Sequence, residues 1–216
     1  RCHEAGVRCY LMMPRIFRKE AEQYFRKQME LLTSAGFDAL GIGSMEEPGF
    51  LREAGIELPM YFDQGMYSWN HLAGAAMERY GADRLTIPVE LNEREIRDSG
   101  VQGEMIVYGY LPMMISAQCI RKTTLGCSGK SEIMWLKDRK DMRFPVVNQC
   151  RFCYNTIYNS APLSLLGLSE QVTGLKPNAV RLNFTVEEPA AAGEILDAFF
   201  EEYGMSEKAA EPPVLR

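Results

Sequence analysis

Glu104-Met-Ile-Val-Tyr108-Gly109-Tyr-Leu-Pro112 is where this chain changes character. Upstream of it one pattern recurs: a short apolar run, a Gly or polar turn, then an amphipathic stretch. Downstream the pattern stops, and four of the six cysteines follow in two clusters, Cys119 with Cys127 and then the pair Cys150-x-x-Cys153. The first half reads as a repeating scaffold and the second as an excursion from it.

Working upstream, Arg84 to Val89 (RLTIPV) predicts a strand ahead of Asn92, a helix cap with Glu95 placed for a capping box over Glu93 to Asp98. Before it, Leu58 to Phe62 is a strand, and a helix runs from the Asn70 cap to Tyr80-Gly81. Asp38 to Ile42 and Met45 to Glu53 make another strand and helix, and Val7 to Met13 with Lys19 to Ser34 make the first such pair. Strand-helix units at this spacing imply a parallel sheet with right-handed crossovers. Neither Gly-x-Gly-x-x-Gly after a strand nor Gly-x-x-x-x-Gly-Lys occurs, which removes the usual nucleotide-binding case for an open sheet. The fold expected is therefore α/β, a partial TIM-like (β/α) barrel with a cysteine-rich metal-binding excursion after its last barrel strand pairings. A full barrel takes about 250 residues, so five strands are the later portion of one.

The same reading divides the chain into strand-helix units over 1–110, the cysteine segment over 111–167, a closing strand (Val180 to Val186) and helix (Ala190 to Tyr203) within 168–205, and a flexible tail at 206–216. Between the cysteine clusters, Trp135 to Val147 is expected to form a hairpin turning at Asp138 to Asp141. Arg1 is not an initiator methionine, and Arg1 to Gly6 reads as the end of a helix with a Gly stop, so upstream residues are expected to exist. With 216 residues and 46% apolar content the chain can bury a large core. No apolar run of membrane-spanning length and no secretory leader are seen, which predicts a cytoplasmic protein without a membrane partner. A net charge of −5 gives no overall basic field.

Thiolates at these spacings converge most often on a metal: Cys150-x-x-Cys153 supplies two sulfurs from one turn, and Cys119 with Cys127 closes a four-sulfur shell. An iron-sulfur centre and a tetrahedral zinc both suit four thiols, and four reduced buried thiols are the plain alternative. Cys2 and Cys9 read as bystanders. Nucleophilic or metal-dependent proteolysis has little machinery, with two histidines, His3 and His71, and no His-Glu-x-x-His. Carboxylates at the ends of barrel strands, Asp63, Glu90 and Glu104, are candidates for acid-base work, each with helix capping or an Arg partner as the competing role. Tyr67, Trp69, Tyr108 and Tyr110 are either a floor for a flat ring or core. Lys137, Arg139, Lys140 and Arg143 are a basic run that meets phosphate or is simply a solvated face. Asn155 and Asn159 are expected to tie down loop backbone.

Glu104-Met-Ile-Val-Tyr108-Gly109-Tyr-Leu-Pro112-Met-Met, Cys119, Leu136-Lys-Asp138-Arg139, Phe144-Pro145-Val, Cys150-x-x-Cys153 and Asn159-Ser-Ala-Pro162-Leu together resemble peptidase family U-32, the collagenase-like proteases. Asp63, Tyr67, Asn70 and Leu85-Thr86-Ile-Pro88-Val-Glu90-Leu-Asn92 resemble its barrel portion, so the likeness runs to about Tyr203. It implies a TIM-barrel-like domain carrying a peptidase label without an assigned mechanism, and a four-iron, four-sulfur cluster serving hydroxylation of RNA bases or of a quinone ring. Cys119, Cys127 and Cys150 fall where cluster ligands are expected. The fourth ligand of several relatives lies further downstream, and no cysteine follows Cys153 here. The cluster then uses Cys153, lacks a fourth sulfur, or is replaced by zinc. The resemblance makes Glu104 and Asp63 the catalytic candidates and Tyr67, Asn70 and Tyr108 the substrate-binding ones. RNA or a peptide is the expected substrate, and the upstream barrel portion or an oligomer partner the expected neighbour. The alternative is a non-catalytic, zinc-stapled portion that binds a substrate or partner for a larger protein.

Overall fold

A computed structural model of the chain describes residues 1–204, and the flexible tail expected at 206–216 lies outside the described residues. Two compact units divide them: residues 1–106 with 169–181, and residues 107–168 with 182–204. Both are α/β in content.

The first unit opens with a 3-10 turn at His3–Ala5, closed by Gly6 at φ 70°, as the Gly stop predicts. It continues through β1 (Tyr10–Met12), α1 (Lys19–Lys27), α2 (Met29–Ser34), β2 (Ala39–Ile42), α3 (Glu46–Glu53), β3 (Met60–Phe62), α4 (His71–Arg79), β4 (Ala82–Leu85), α5 (Glu93–Ser99) and the start of β5 (Glu104–Gly109). Strands β1 to β4 form a parallel sheet in sequence order. Partners in a parallel ladder share a face, so Met12, Gly41, Tyr61 and Arg84 lie in one row across it. The alternate residues Leu40, Ile42, Phe62 and Leu85 are at most 5% exposed. Each such side chain stabilises the unit by about 1.5–3 kcal/mol. This second face is the helix side: a Cβ on Gly74 of α4 would stand 3.5 Å from Leu85. The other face is open, with Met12 50% exposed on it, and Gly41 makes room there for the Met12 thioether, which occupies the place of its missing Cβ.

The sequence set several ends differently. Val7 to Met13 shortens to β1, with Val7 45% exposed. The helix over Lys19 to Ser34 breaks at Gln28, whose N–H is shared between the Tyr24 and Phe25 carbonyls as the turn tightens. The strand expected over Arg84 to Val89 begins earlier and stops before Pro88, which has no N–H to pair. Asp83 instead ties this region to β3 by accepting the Met60 N–H at 2.7 Å. The Asn70 cap and the Asn92–Glu95 capping box form as expected. Past β4, Thr86 bridges to Glu104 in parallel, which sets the start of β5 level with the end of β4. Among the described residues the parallel sheet does not close into a barrel; what is present is a mixed α/β arrangement of parallel strands and helices.

The second unit takes in the rest of β5, β6 (Pro112–Ser116), α6 (Ile120–Thr124), β7 (Ile133–Lys137), β8 (Arg143–Gln149), β9 (Tyr154–Tyr158) and β10 (Leu163–Ser164). After α7 (Ser169–Gly174), which belongs to the first unit, β11 (Ala179–Asn183) lies beside β5, and α8 (Pro189–Glu202) ends the described chain. The second unit's main sheet is antiparallel in the order β6-β9-β8-β7. Its β7-β8 hairpin turns where Asp138 accepts the N–H groups of Lys140 and Met142, at 2.7 and 2.9 Å. The amide-rich stretch after Cys153 is the central strand β9, where Asn155 is fully buried. No described helix is long and apolar enough to cross a membrane.

Candidate functional site

Asp63 follows β3, and Glu104 begins β5. In sequence they are far apart, and as strand positions they sit at opposite ends. The stagger of the sheet removes that difference. Leu85 pairs with Phe62, and Thr86, the next residue, bridges to Glu104, so Asp63, Thr86 and Glu104 fall in one row. By alternation Asp63 shares the open face with Tyr61, and Thr86 with Arg84.

Arg181 on β11 joins the two acids. Its Nη2 donates to Asp63 Oδ1 at 2.6 Å, and its Nε stands 3.1 Å from Glu104 Oε1. The second contact is an ion pair off the N–H direction, since Nε has no aligned acceptor. Arg15, just past β1, brings Nη1 to 3.8 Å from Asp63 Oδ2, also without an aligned hydrogen bond. The four side chains are between 13% and 24% exposed. Two buried guanidinium donors thus lie beside two carboxylates with their hydrogen bonding incomplete, an arrangement that protein interiors seldom keep without a use for it. Gly65 makes room: the Arg15 guanidinium fills the space a Cβ would take there.

Burial pushes the Glu104 carboxyl above its ordinary range, and Asp63 adds to this, while Arg181 and Arg84 oppose it. A cleft of about 180 Å³ adjoins, lined by Tyr10, Met12, Tyr61, Arg84, Glu104 and Arg181 among others. The Tyr10 and Tyr61 hydroxyls are 3.4 Å apart, and the Arg84 guanidinium lies 5.1 Å from the Tyr61 ring centre. Burial and the Tyr61 hydroxyl push Tyr10 up to about 12, so it remains a proton donor near neutral pH.

The other sequence candidates have local partners. Asn70 caps α4, accepting the Ala73 N–H at 3.0 Å. Tyr67 is 49% exposed in a left-handed conformation and stacks on Trp69 at 6.3 Å. Tyr108 packs on the Phe184 ring, and burial, with Glu187 next to it, pushes its hydroxyl up to about 12. Glu90 and His71 are exposed, and His3 pairs with Asp38 at 2.9 Å. Arg181, Arg15, Tyr10 and Tyr61 escaped the sequence reading. The available signal was Arg181 itself, a lone cation between Val180 and Leu182 in a strand.

In the second unit, Cys119 is the N-cap of α6, and its Sγ accepts the Lys122 N–H at 3.4 Å. Cys150 Sγ donates to the Lys130 carbonyl at 3.0 Å. Cys153 sits at φ 52° in the turn between β8 and β9. Buried Asn155 positions the segment: its Oδ1 accepts the Ile120 N–H at 2.9 Å, and its Nδ2 donates to the Ser116 and Gln118 carbonyls, each at 3.0 Å. Asn159 likewise binds backbone, accepting the Ser160 N–H. Among the described residues no three His, Cys, Asp or Glu side chains stand close enough to form a ready metal shell. Burial raises the Cys150 thiol, and Cys119, Cys127 and Cys153 raise it further in that order. The thiols are thus near enough to sense one another's charge without forming a ready shell. As a donor set they fit a metal or cluster that draws them together on binding.

The description of peptidase family U32 matches residues 1–193. A solved structure, described as that of the U32 peptidase Mk0906, is similar at 15% identity and a TM-score of 0.40, over 50% of this chain and 49% of that one. The chain therefore spans about half the length of that relative. Among curated proteins none matches.

Proposed function

The chain belongs to peptidase family U32, and from that premise we propose that it is an enzyme whose proton transfer is done by Glu104 and Asp63 and whose cofactor is an iron-sulfur cluster held by Cys119, Cys127, Cys150 and Cys153. The observation that carries the reading is the Arg181-centred carboxylate pair beside the cleft, with buried guanidinium donors left over. The parallel strands are read as part of a TIM-like barrel, with Asp63 just past the carboxyl end of β3, where such folds place chemistry, and Glu104 brought level with it by the stagger of β5.

Glu104, whose carboxyl burial raises above its ordinary range, is the group that gives or takes the proton. Asp63, paired with Arg181 and near Arg15, is the second acid-base group, and the same contacts hold both guanidinium groups beside it. Tyr10 and Tyr61 offer hydroxyls to a polar group in the cleft. Tyr67 with Trp69 offers an exposed aromatic surface to a flat substrate. Four thiolates suit a four-iron, four-sulfur cluster, which supplies one-electron transfer when bound. Neither described histidine lines the cleft, where a serine or cysteine peptidase would need its base: His3 pairs with Asp38 and His71 is exposed at the start of α4. The reaction favoured is thus redox chemistry such as hydroxylation of an RNA base or a quinone ring, in place of peptide hydrolysis.

The test is iron, sulfide and zinc content with visible absorption, on protein purified without oxygen, for the native chain and for Cys119→Ala. About four irons and four sulfides per chain, with a broad absorption band lost in the variant, is the expected result. One zinc and no visible band makes the cysteines a structural staple and returns the chain to a substrate- or partner-binding portion.

A further inference from the structure

The β7-β8 hairpin carries a surface that the chemistry above does not use. Trp135 is opposite Pro145, and Lys137 is opposite Arg143, so Trp135, Lys137 and Arg143 share one face of the hairpin. Trp135 is 55% exposed. Lys137 and Arg143 put like charges directly across from one another, which costs stability in a ladder. Lys137 is partly relieved by Asp141 at 2.8 Å. Arg139, Lys140 and Arg143 are exposed, with no acidic partner among the described residues. Asp138, whose Oδ1 closes the turn on two backbone N–H groups, and Asp141 offset part of this charge, so Lys137, Arg139, Lys140 and Arg143 still outnumber the carboxylates of the turn. This is a local excess of cations beside a bare indole, on a chain whose net charge is −5.

We propose that this hairpin is an arm that binds single-stranded nucleic acid, stacking a base on Trp135 and placing backbone phosphates on Arg143, Arg139 and Lys140. Stacking on an aromatic face with cations along the strand is the sequence-tolerant mode by which proteins hold single strands. The exposed ring beside the cations decides between partners of the same charge: an acidic peptide satisfies the cations but leaves the indole without a flat ring to cover. The site rests on the RNA branch of the functional reading for its biological meaning, while its binding does not depend on the cluster.

The probe is a fluorescein-labelled twelve-nucleotide oligouridylate, titrated at several salt concentrations against the iron-loaded chain. Micromolar binding that weakens with salt, with quenched Trp fluorescence, is expected. Arg139→Glu with Arg143→Glu should lower affinity at least tenfold and flatten the salt dependence by about 0.7 per cation removed in log–log slope. Trp135→Ala should lower affinity about tenfold, and Trp135→Phe should restore most of it. Equal iron content in all variants shows that the unit has folded. The proposal is overturned if the oligonucleotide does not bind at low salt, if the variants bind unchanged, or if polyglutamate or anionic phosphatidylserine vesicles bind through the same residues more tightly. Failed binding by iron-loaded protein sinks the arm alone. Oligonucleotide binding by protein that takes up no iron sinks the cluster alone.

Discussion

Glu47 offers the sharpest physical test of this structure. It lies in the first turn of α3, fully buried, with Oε2 accepting the N–H groups of Gly43 at 2.7 Å and Ser44 at 3.3 Å. Oε1 has no partner. Burial pushes this carboxyl up to about 8 against those hydrogen bonds, and neighbouring Glu46 adds a little in the same direction. The acid is therefore neutral in the folded chain at pH 7 and ionised in the unfolded one. Below an unfolded value near 4.5 both states hold the proton and no penalty exists. As pH rises from there to about 8, only the folded state keeps it, so stability falls by about 1.4 kcal/mol per pH unit. The loss reaches about 3 kcal/mol by pH 7 and levels off near 5 kcal/mol above pH 8. Glu47→Gln keeps an acceptor for the two N–H groups and removes the titration. Urea unfolding followed by pulsed hydrogen exchange over β2 and α3, at pH 5 and pH 8, should find the variant gaining several kcal/mol on the native chain between the two. A stability difference that is the same at both pH values, or a Glu47 carboxyl that titrates below pH 6 by NMR, refutes the argument.

Further outcomes follow from the carboxylate cluster and the cysteine segment. Glu104→Gln should cost at least a hundredfold in turnover and remove the pH dependence that a raised carboxyl imposes, with cluster content unchanged. Arg181→Met leaves Asp63 and Glu104 facing one another without their shared cation. It should destabilise the first unit by about 3 kcal/mol and raise the Glu104 titration further, read by NMR and thermal unfolding. Gly65→Ala displaces the Arg15 guanidinium from Asp63 with little effect on the fold, and lower turnover with an unchanged melting temperature would show it. Asn155→Ala leaves three backbone groups around Cys119 without the side chain they bond, which should cost about 3 kcal/mol and cut iron content, measured on protein purified without oxygen.

Much of this molecule is local in origin and was therefore open to a reading of the sequence. The Asn70 and Asn92 caps, the Gly6 stop and the Asp138–Asp141 turn all depend on residues within a few positions of one another. Strand-helix alternation likewise announces a parallel sheet, because a crossover helix between successive strands is the connection that parallel pairing requires. The likeness of Glu104 to Cys153 to peptidase family U32 is carried by residue identity alone, and the family match over residues 1–193 agrees with it.

The site depends on something else. Glu104 and Asp63 become neighbours through the stagger that places Thr86 opposite Glu104, a register that no spacing in the sequence states. Arg181 reaches them from a strand 118 positions beyond Asp63. Its charge was visible in the sequence, but its partners were not, because an ion pair is set by which strands lie side by side. Asn155 tells the same story in the second unit: read as a loop residue, it holds backbone as expected, but from the buried centre of a sheet. Composition and periodicity determined the elements, since those follow from each residue's own preferences. Only the tertiary structure decided which charges meet, since that follows from packing between elements far apart in the chain.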